Sequence, residues 1–562
     1  MLRKLTFAAA ALVACPSAAT SLFGTETALD THPQITWGPC AEALVGPASD
    51  ALGDRLQCGV MTVPFDHLAP DGRLIDIGVI RVRAAVPEQR EGSIFFNRGG
   101  PGSHPGRVLR ILAAAWSRPT PAGAPRGEKQ LLADRYDLVA VIPRGLAGSA
   151  AIRCVTGLPP RHDFLPTNLD DTNWNLAVAE AQSVVNACTR APHARYVNTE
   201  QHAHDMEALR RALGDERIHI YGVSYGGMVA AWYAAMYPAH VGRMLLDSSL
   251  DFTRDYRHAL RIAMQARHRA FVSKAVVPLL EDPSCYGLGS DVNAVTAAID
   301  ALPPRIRKLG TDWFNTPVRL AAALHVATWL RTRQPATLAE ITPIIEYARL
   351  DVDPSLQERL RWEALQVATG LFRPPSTQPV FYLGPDGDSV RTIVPCNDVR
   401  WPRSEHDIRR AAQQYAAGYF SFDGEEILEE LTCARWGGPS ARPPMLSALE
   451  QAPPFLLLQS DRDAATPLVG AIHILDRYTN ARMLLVRQSE QHGLFNFTLS
   501  TCIERTAARY LLTGSLPEAR SRVLACEGTL GNPVDSIPDA PQPPAVDPVP
   551  AEAPSAPAHD EL

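Results

Sequence analysis

Near the start of the chain, apolar and polar positions alternate, and further on they give way to continuous apolar runs. "LQCGVMTVPFDH" and "LIDIGVIRVRAAV" read as an opening pair of antiparallel strands, because period-two alternation suits a sheet with one wet face. "GSIFFNRGGPG" and "YDLVAVIPRG" follow as short apolar runs closed by turn residues, as expected of strands buried on both faces. The stretch "TEQHAHDMEALRRALG" has helical spacing, with Thr199 expected as its N-cap and Gly214 as its stop. Then come strand "RIHIYGVS", helix "YGGMVAAWYAAMYP" and strand "VGRMLLDSS". Strands alternating with helices predict an α/β fold, with a mostly parallel sheet and helices on both faces.

The pattern then changes. From 251 to 452 the apolar spacing is helical in long stretches such as "HALRIAMQARHRAFVSKAVVPLL" and "VRLAAALHVATWLRTR", which predicts a large helical cap insertion. Strand and helix alternate again in "PFLLLQSDRD", "PLVGAIHILDRYT" and "ARMLLVRQSEQHG", ending in a helix near "CIERTAARYLLTG". The expected organisation is a core in two parts, 35–250 and 453–530, separated by the insertion. A Pro/Ala-rich tail, 533–562, has too few large apolar residues to fold.

The chain has 562 residues, 46% hydrophobic and 20% charged, which suits a well-buried globular enzyme. Its net charge of -6 supplies no basic surface for phosphates, so nucleic acid is not an expected partner. The opening "MLRKLTFAAAALVACPSAATS" places Arg3 and Lys4 before an apolar run too short to span a bilayer, and reads as an export signal over 1–19. Leu12-Val13-Ala14-Cys15 has the form of a bacterial lipoprotein box, which would put a lipid on Cys15; cleavage after Ser17-Ala18-Ala19 is the plainer alternative. The expected location is the bacterial periplasm, a lipid-anchored membrane surface or the medium. The ending His559-Asp560-Glu561-Leu562 matches a retention signal of a different kind of cell and is read as coincidence.

Export gives the cysteines meaning, since disulfides persist outside the cytosol. Pairing neighbours would join Cys40 to Cys58, Cys154 to Cys188, Cys396 to Cys433 and Cys502 to Cys526, leaving Cys285 single; spacing alone does not fix this connectivity. No spacing is of the CxxC kind, so neither a zinc site nor any other cofactor is expected.

Chemistry concentrates where strands end. Gly222-Val223-Ser224-Tyr225-Gly226 follows a predicted strand and opens a predicted helix, the setting in which a serine becomes an exposed nucleophile; glycine-rich turns of this kind also serve nucleotide-binding sheets. A serine hydroxyl needs a base and an orienting acid. His492 stands after the last predicted strand in "SEQHGLF", and Asp463 after the one before it, with Thr466-Pro467 expected to cap and start the intervening helix. Asp247, at the end of the strand after Ser224, and Asp461 are the alternative acids. The chain order Ser224, Asp463, His492 is that of an α/β-hydrolase. The loop Asn97 to Gly102, "NRGGPG", is the expected source of an oxyanion hole, through Gly99 or Gly100 N–H paired with Tyr225 N–H.

Together these motifs resemble the secreted tripeptidyl aminopeptidases and prolyl aminopeptidases among the α/β-hydrolases. The shared patterns lie at 97–102, 143–145, 222–227, 463–467 and 492–493, and the resemblance runs from about Trp37 to Cys526. Departures are Ile142 where the family usually has Asp, Ala147 in place of a glycine, and Gln491 before the histidine. The resemblance implies an acyl-enzyme mechanism that releases short peptides or proline from peptide N-termini. The acidic run "DGEEILEE" at 423–430 is one candidate anchor for a substrate ammonium; a solvated face is the plainer reading. An esterase or lipase on the same scaffold, or a surface binding protein without turnover, are the rival readings.

Overall fold

The computed structural model describes residues 34–527, apart from 48–50, 119–126, 157–167, 308, 310–312, 373–383, 403, 421–423, 498–499 and 518–521. The export signal, Cys15 and the Pro/Ala-rich tail lie outside these residues.

Nine strands form one sheet: β1 (Leu56–Pro64), β2 (Leu74–Val82), β3 (Gly92–Asn97), β4 (Tyr136–Val141), β5 (Ile218–Val223), β6 (Val241–Asp247), β7 (Phe455–Ser460), β8 (Ala481–Val486) and β9 (Val523–Cys526). Their spatial order is β1-β2-β4-β3-β5-β6-β7-β8-β9. The expected opening hairpin is present, β1 pairing antiparallel with β2, and β2 meets β4 antiparallel. From β4 to β9 every pairing is parallel. Every residue of β3, β4 and β7 is buried, which is why these strands read as unbroken apolar runs.

The chain passes from β3 outward to β4 and then returns to the other side of β3 as β5. Loops leaving β3 and β5 therefore diverge, and a crevice opens between them at the carboxyl ends of the strands. The helix Tyr225–Met236 that follows β5 is apolar on nearly every face and buried through its first ten residues, as its composition requires.

Between β6 and β7 all described elements are helical. They build a second apolar core around Phe271, Leu279, Phe314, Leu320 and Leu360, separate from the one lining the sheet. All four neighbour disulfides form, and among the described residues Cys285 is a free, exposed cysteine.

The helix beginning at Thr199 is capped one residue earlier than expected. Asn198, extended at φ -154°, accepts from Gln201 N, while the Thr199 hydroxyl is drawn away to Asp398 and to the Tyr225 hydroxyl. Gly214 ends that helix in a left-handed conformation, as its position predicts.

Candidate active site

Ser224 follows β5 without an intervening residue and holds φ 59° and ψ -124°, a region that costs a non-glycine residue about 1–3 kcal/mol. Its backbone is fixed on both sides: Ser224 N donates to Asp247 O, and Leu250 N donates to Ser224 O. The glycines around it are required by close approach. A side chain at Gly222 would run into the Gly226 carbonyl, and one at Gly226 would stand 2.5 Å from Asn97 O. Strand, turn and the Asn97 loop can converge only because both positions lack a Cβ.

Asp463 and His492 meet across the loops after β7 and β8, with Asp463 Oδ2 2.9 Å from His492 Nδ1. Asp463 is wholly buried, and its Oδ1 accepts from Ala465 N and Thr466 N, so the carboxylate is held in place before it meets the ring. A carboxylate on Nδ1 fixes the proton there and leaves Nε2 free to act as a base. Gly493, beside the histidine, approaches Val223, the residue before Ser224. Ser224, Asp463 and His492 thus share one edge of the sheet.

The expected cap at Thr466 does not form. The helix starts at Leu468 with Pro467 before it, and Thr466 Oγ1 instead lies 2.8 Å from Ser248 O, 3.0 Å from Asp463 Oδ2 and 3.2 Å from His492 Nδ1. Proline at the cap position brings no side-chain acceptor, and the hydroxyl is engaged where two acidic and basic groups meet.

The alternative acids have other partners. Asp247 is wholly buried and accepts from Leu494 N, Phe495 N and Tyr221 Oη, so it anchors the turn that follows His492. Burial pushes its carboxyl up to about 6, against the pull of those two amides. Asp461 accepts from Gln488 N and Ser489 N and ties down the other end of the same loop.

In the Asn97 loop, Gly99 N donates 2.9 Å to Asn97 Oδ1. That amide is committed, which leaves Gly100 as the donor of the expected pair. Asn97 is oriented in turn by His202, whose Nε2 lies 3.0 Å from Asn97 Nδ2. Burial pulls the His202 ring down to about 4, so it is neutral and can accept that proton. Gly99, Pro101, Gly102, Arg144, Tyr225 and Val390 line a small cavity beside the Asn97 loop.

Two supporting groups escape local reading, and a third lies in the acidic run expected as a candidate anchor. Arg144, after β4, forms a two-pronged ion pair with Asp205 at 2.8 and 2.9 Å and also donates to Pro64 O and Phe65 O. Asp398 accepts from Thr199, which contacts the Tyr225 hydroxyl; burial pushes Asp398 up to about 7. Glu429, in the acidic run, keeps Oε1 shielded and without a hydrogen-bond partner among the described residues. Burial pushes its carboxyl up to about 8, opposed by Arg391 and assisted by Glu426 and Glu430. The backbone of Arg391 stands against Gly102 of the Asn97 loop.

Residues 93–274 match the alpha/beta hydrolase fold family, and residues 420–526 match the TAP-like protein family. The chain is similar to a tripeptidyl aminopeptidase of Streptomyces lividans, 27% identical over 500 residues that cover 85% of this chain and 84% of the relative. It is also similar to the serine protease Hip1 of Mycobacterium tuberculosis, 25% identical over 511 residues covering 87% and 90%. A third relative, carboxylesterase B of Mycobacterium tuberculosis, is 25% identical over 525 residues covering 87% and 90%. By sequence and architecture the chain is a serine hydrolase of the α/β-hydrolase fold, similar in its C-terminal part to the TAP-like proteins.

Proposed function

We propose that the chain is an exported exopeptidase that releases short peptides from free N-termini through an acyl-enzyme on Ser224. His492 takes the serine proton and returns it to the leaving amine, Asp463 orients the imidazole, and Gly100 and Tyr225 N–H receive the oxyanion. The observation that carries this reading is the 2.9 Å Asp463–His492 bond on the same sheet edge as the strained Ser224 elbow. Glu429 is the anchor for the substrate ammonium: a cation beside its unbonded oxygen would ionise a carboxyl that burial otherwise keeps protonated. Similarity to a tripeptidyl aminopeptidase along most of the chain supports the substrate class.

Asp463→Asn is expected to lower kcat by about ten-thousandfold with little change in KM, because the amide would favour the wrong tautomer of His492. Steady-state kinetics on a peptide anilide read this directly. A loss smaller than about tenfold would move the orienting role to another acid.

A free-amine tripeptide anilide should be turned over, its N-acetylated counterpart should lose at least about a hundredfold in kcat/KM, and Glu429→Gln should lose the preference between them. Equal rates on both, with faster cleavage of a p-nitrophenyl ester, would favour the esterase reading that the carboxylesterase relative suggests. Four disulfides support export. Among the described residues no helix is long and apolar enough to cross a membrane, so a lipid on Cys15 is the proposed attachment.

A further inference from the structure

We propose that Asp251, His258 and His473 form a binding site for a divalent transition metal of the zinc class, which clamps the first helix of the insertion to the helix after Asp463. Asp251 lies just past β6, His258 is on the helix Tyr256–Phe271, and His473 is on the helix Leu468–Arg477. Their ligand atoms all fall within 4.8 Å of one another.

The geometry around Asp251 Oδ2 is that of a ligand set waiting to be drawn together. His473 Nδ1 lies 2.7 Å from this oxygen and His258 Nε2 3.9 Å from it. Ligand atoms at two corners of a tetrahedral site with bonds of about 2.0 Å stand about 3.3 Å apart, a value between these two distances. His258 Nε2 is shielded from solvent and has no hydrogen-bond partner among the described residues, although a polar nitrogen beside a buried carboxylate would ordinarily find one. The two rings lie 5.7 Å apart between centroids, so both can reach one ion.

The carboxylate is also held as a ligating carboxylate usually is. Asp251 is buried, and its other oxygen accepts from Thr253 N at 3.0 Å and Thr253 Oγ1 at 2.6 Å, which aims Oδ2 at the histidines. Two imidazoles with one carboxylate select zinc-like ions over calcium or magnesium, which prefer oxygen. Asp255 adds a favourable charge and Arg254 an opposing one near His258. Local spacing could not reveal the set, because Asp251 and His473 are 222 residues apart. It lies apart from the residues assigned to catalysis, and its test does not rest on the peptidase reading.

The experiment is equilibrium dialysis of the chelator-treated full chain against zinc at micromolar concentration, with metal per chain determined by elemental analysis. One zinc per chain is expected, bound at least about tenfold more weakly by His258→Ala and by His473→Ala, with His406→Ala, a surface histidine, as the unchanged control. Zinc should raise the Tm of the wild type and leave that of the two variants where it is. Both imidazoles are partly exposed, so the variants are expected to fold, which circular dichroism checks. No stoichiometric binding, or equal binding by all four proteins, would overturn the proposal. So would a Tm that falls in His473→Ala but does not respond to zinc in any protein, which would leave only an Asp–His ion pair.

Discussion

Ser224→Ala is expected to lower kcat on a peptide anilide by about a millionfold, the loss seen when a catalytic unit is broken at its nucleophile. The residue that remains can still bind substrate and offer Gly100 and Tyr225 N–H to the carbonyl, so a small rate above that of water should persist. In the proposed mechanism Ser224 and His492 act on the same proton, so His492→Ala should cost about as much. The double variant should be scarcely worse than either single one. This non-additivity separates a triad from two independent contributions. Structure should survive, because the elbow is set by backbone bonds to Asp247 and Leu250 and by the two glycines, none of which the alanine alters. An unchanged Tm is the control. Retention of more than about a tenth of the activity would remove Ser224 as nucleophile. Labelling by a fluorophosphonate, present in the wild type and lost in both variants, gives a second readout.

The largest effect on stability is expected from Asp205→Asn, at about 3–5 kcal/mol, since it strands the charge of a buried guanidinium. Arg144 is 2% exposed and Asp205 is wholly buried. An amide of the same shape keeps one hydrogen bond but cannot neutralise the arginine. Burial alone would raise the Asp205 carboxyl; Arg144 and His67 overcome it and hold it well below the usual carboxylate range. A depressed acid contributes stability that is fully present above its unfolded value of about 4 and is lost as pH falls towards the folded one. Urea unfolding should therefore show the full gap between wild type and variant at pH 7, narrowing as pH drops below about 4. A constant gap across that range would mean that shape, not charge, is what Asp205 supplies.

The parts of the site legible in the sequence are those encoded within a few residues. The glycines flank Ser224 because the elbow is a local shape, and Asp463 and His492 each follow a strand by a short turn. The opening hairpin is also local, whereas the disulfide connectivity, which spacing leaves open, is decided by the fold. What escaped depends on contacts between distant segments. Arg144 meets Asp205 from 61 residues away, and Thr199 is drawn from capping its helix by Asp398, 199 residues on. Asp247 stands as the alternative acid in the sequence, and only packing shows its oxygens filled by the Leu494 and Phe495 amides. Gly99 and Gly100 were equivalent in the sequence because nothing local shows that Asn97 folds back on one of them. The acidic run was ambiguous for a related reason, since only packing distinguishes Glu425, which is exposed, from Glu430, which is buried.

The helical insertion leaves the sheet after β6 and returns as β7, and these two strands are immediate neighbours in register, Leu245 opposite Leu456. In topological terms it is a single long loop, spliced between two strands that pair directly, with β7, β8 and β9 added to the sheet after it. Ser248, just before the splice, accepts from the Thr466 hydroxyl at its carbonyl and from Gly493 N at its hydroxyl oxygen, so the bonds that seat the Asp463 and His492 turns are made within the sheet's own loops. On the roles proposed above, substrate choice and bond-breaking chemistry become separable inheritances of this chain: exchange or reshaping of the insertion should change what is admitted while Asp463 and His492 keep their places.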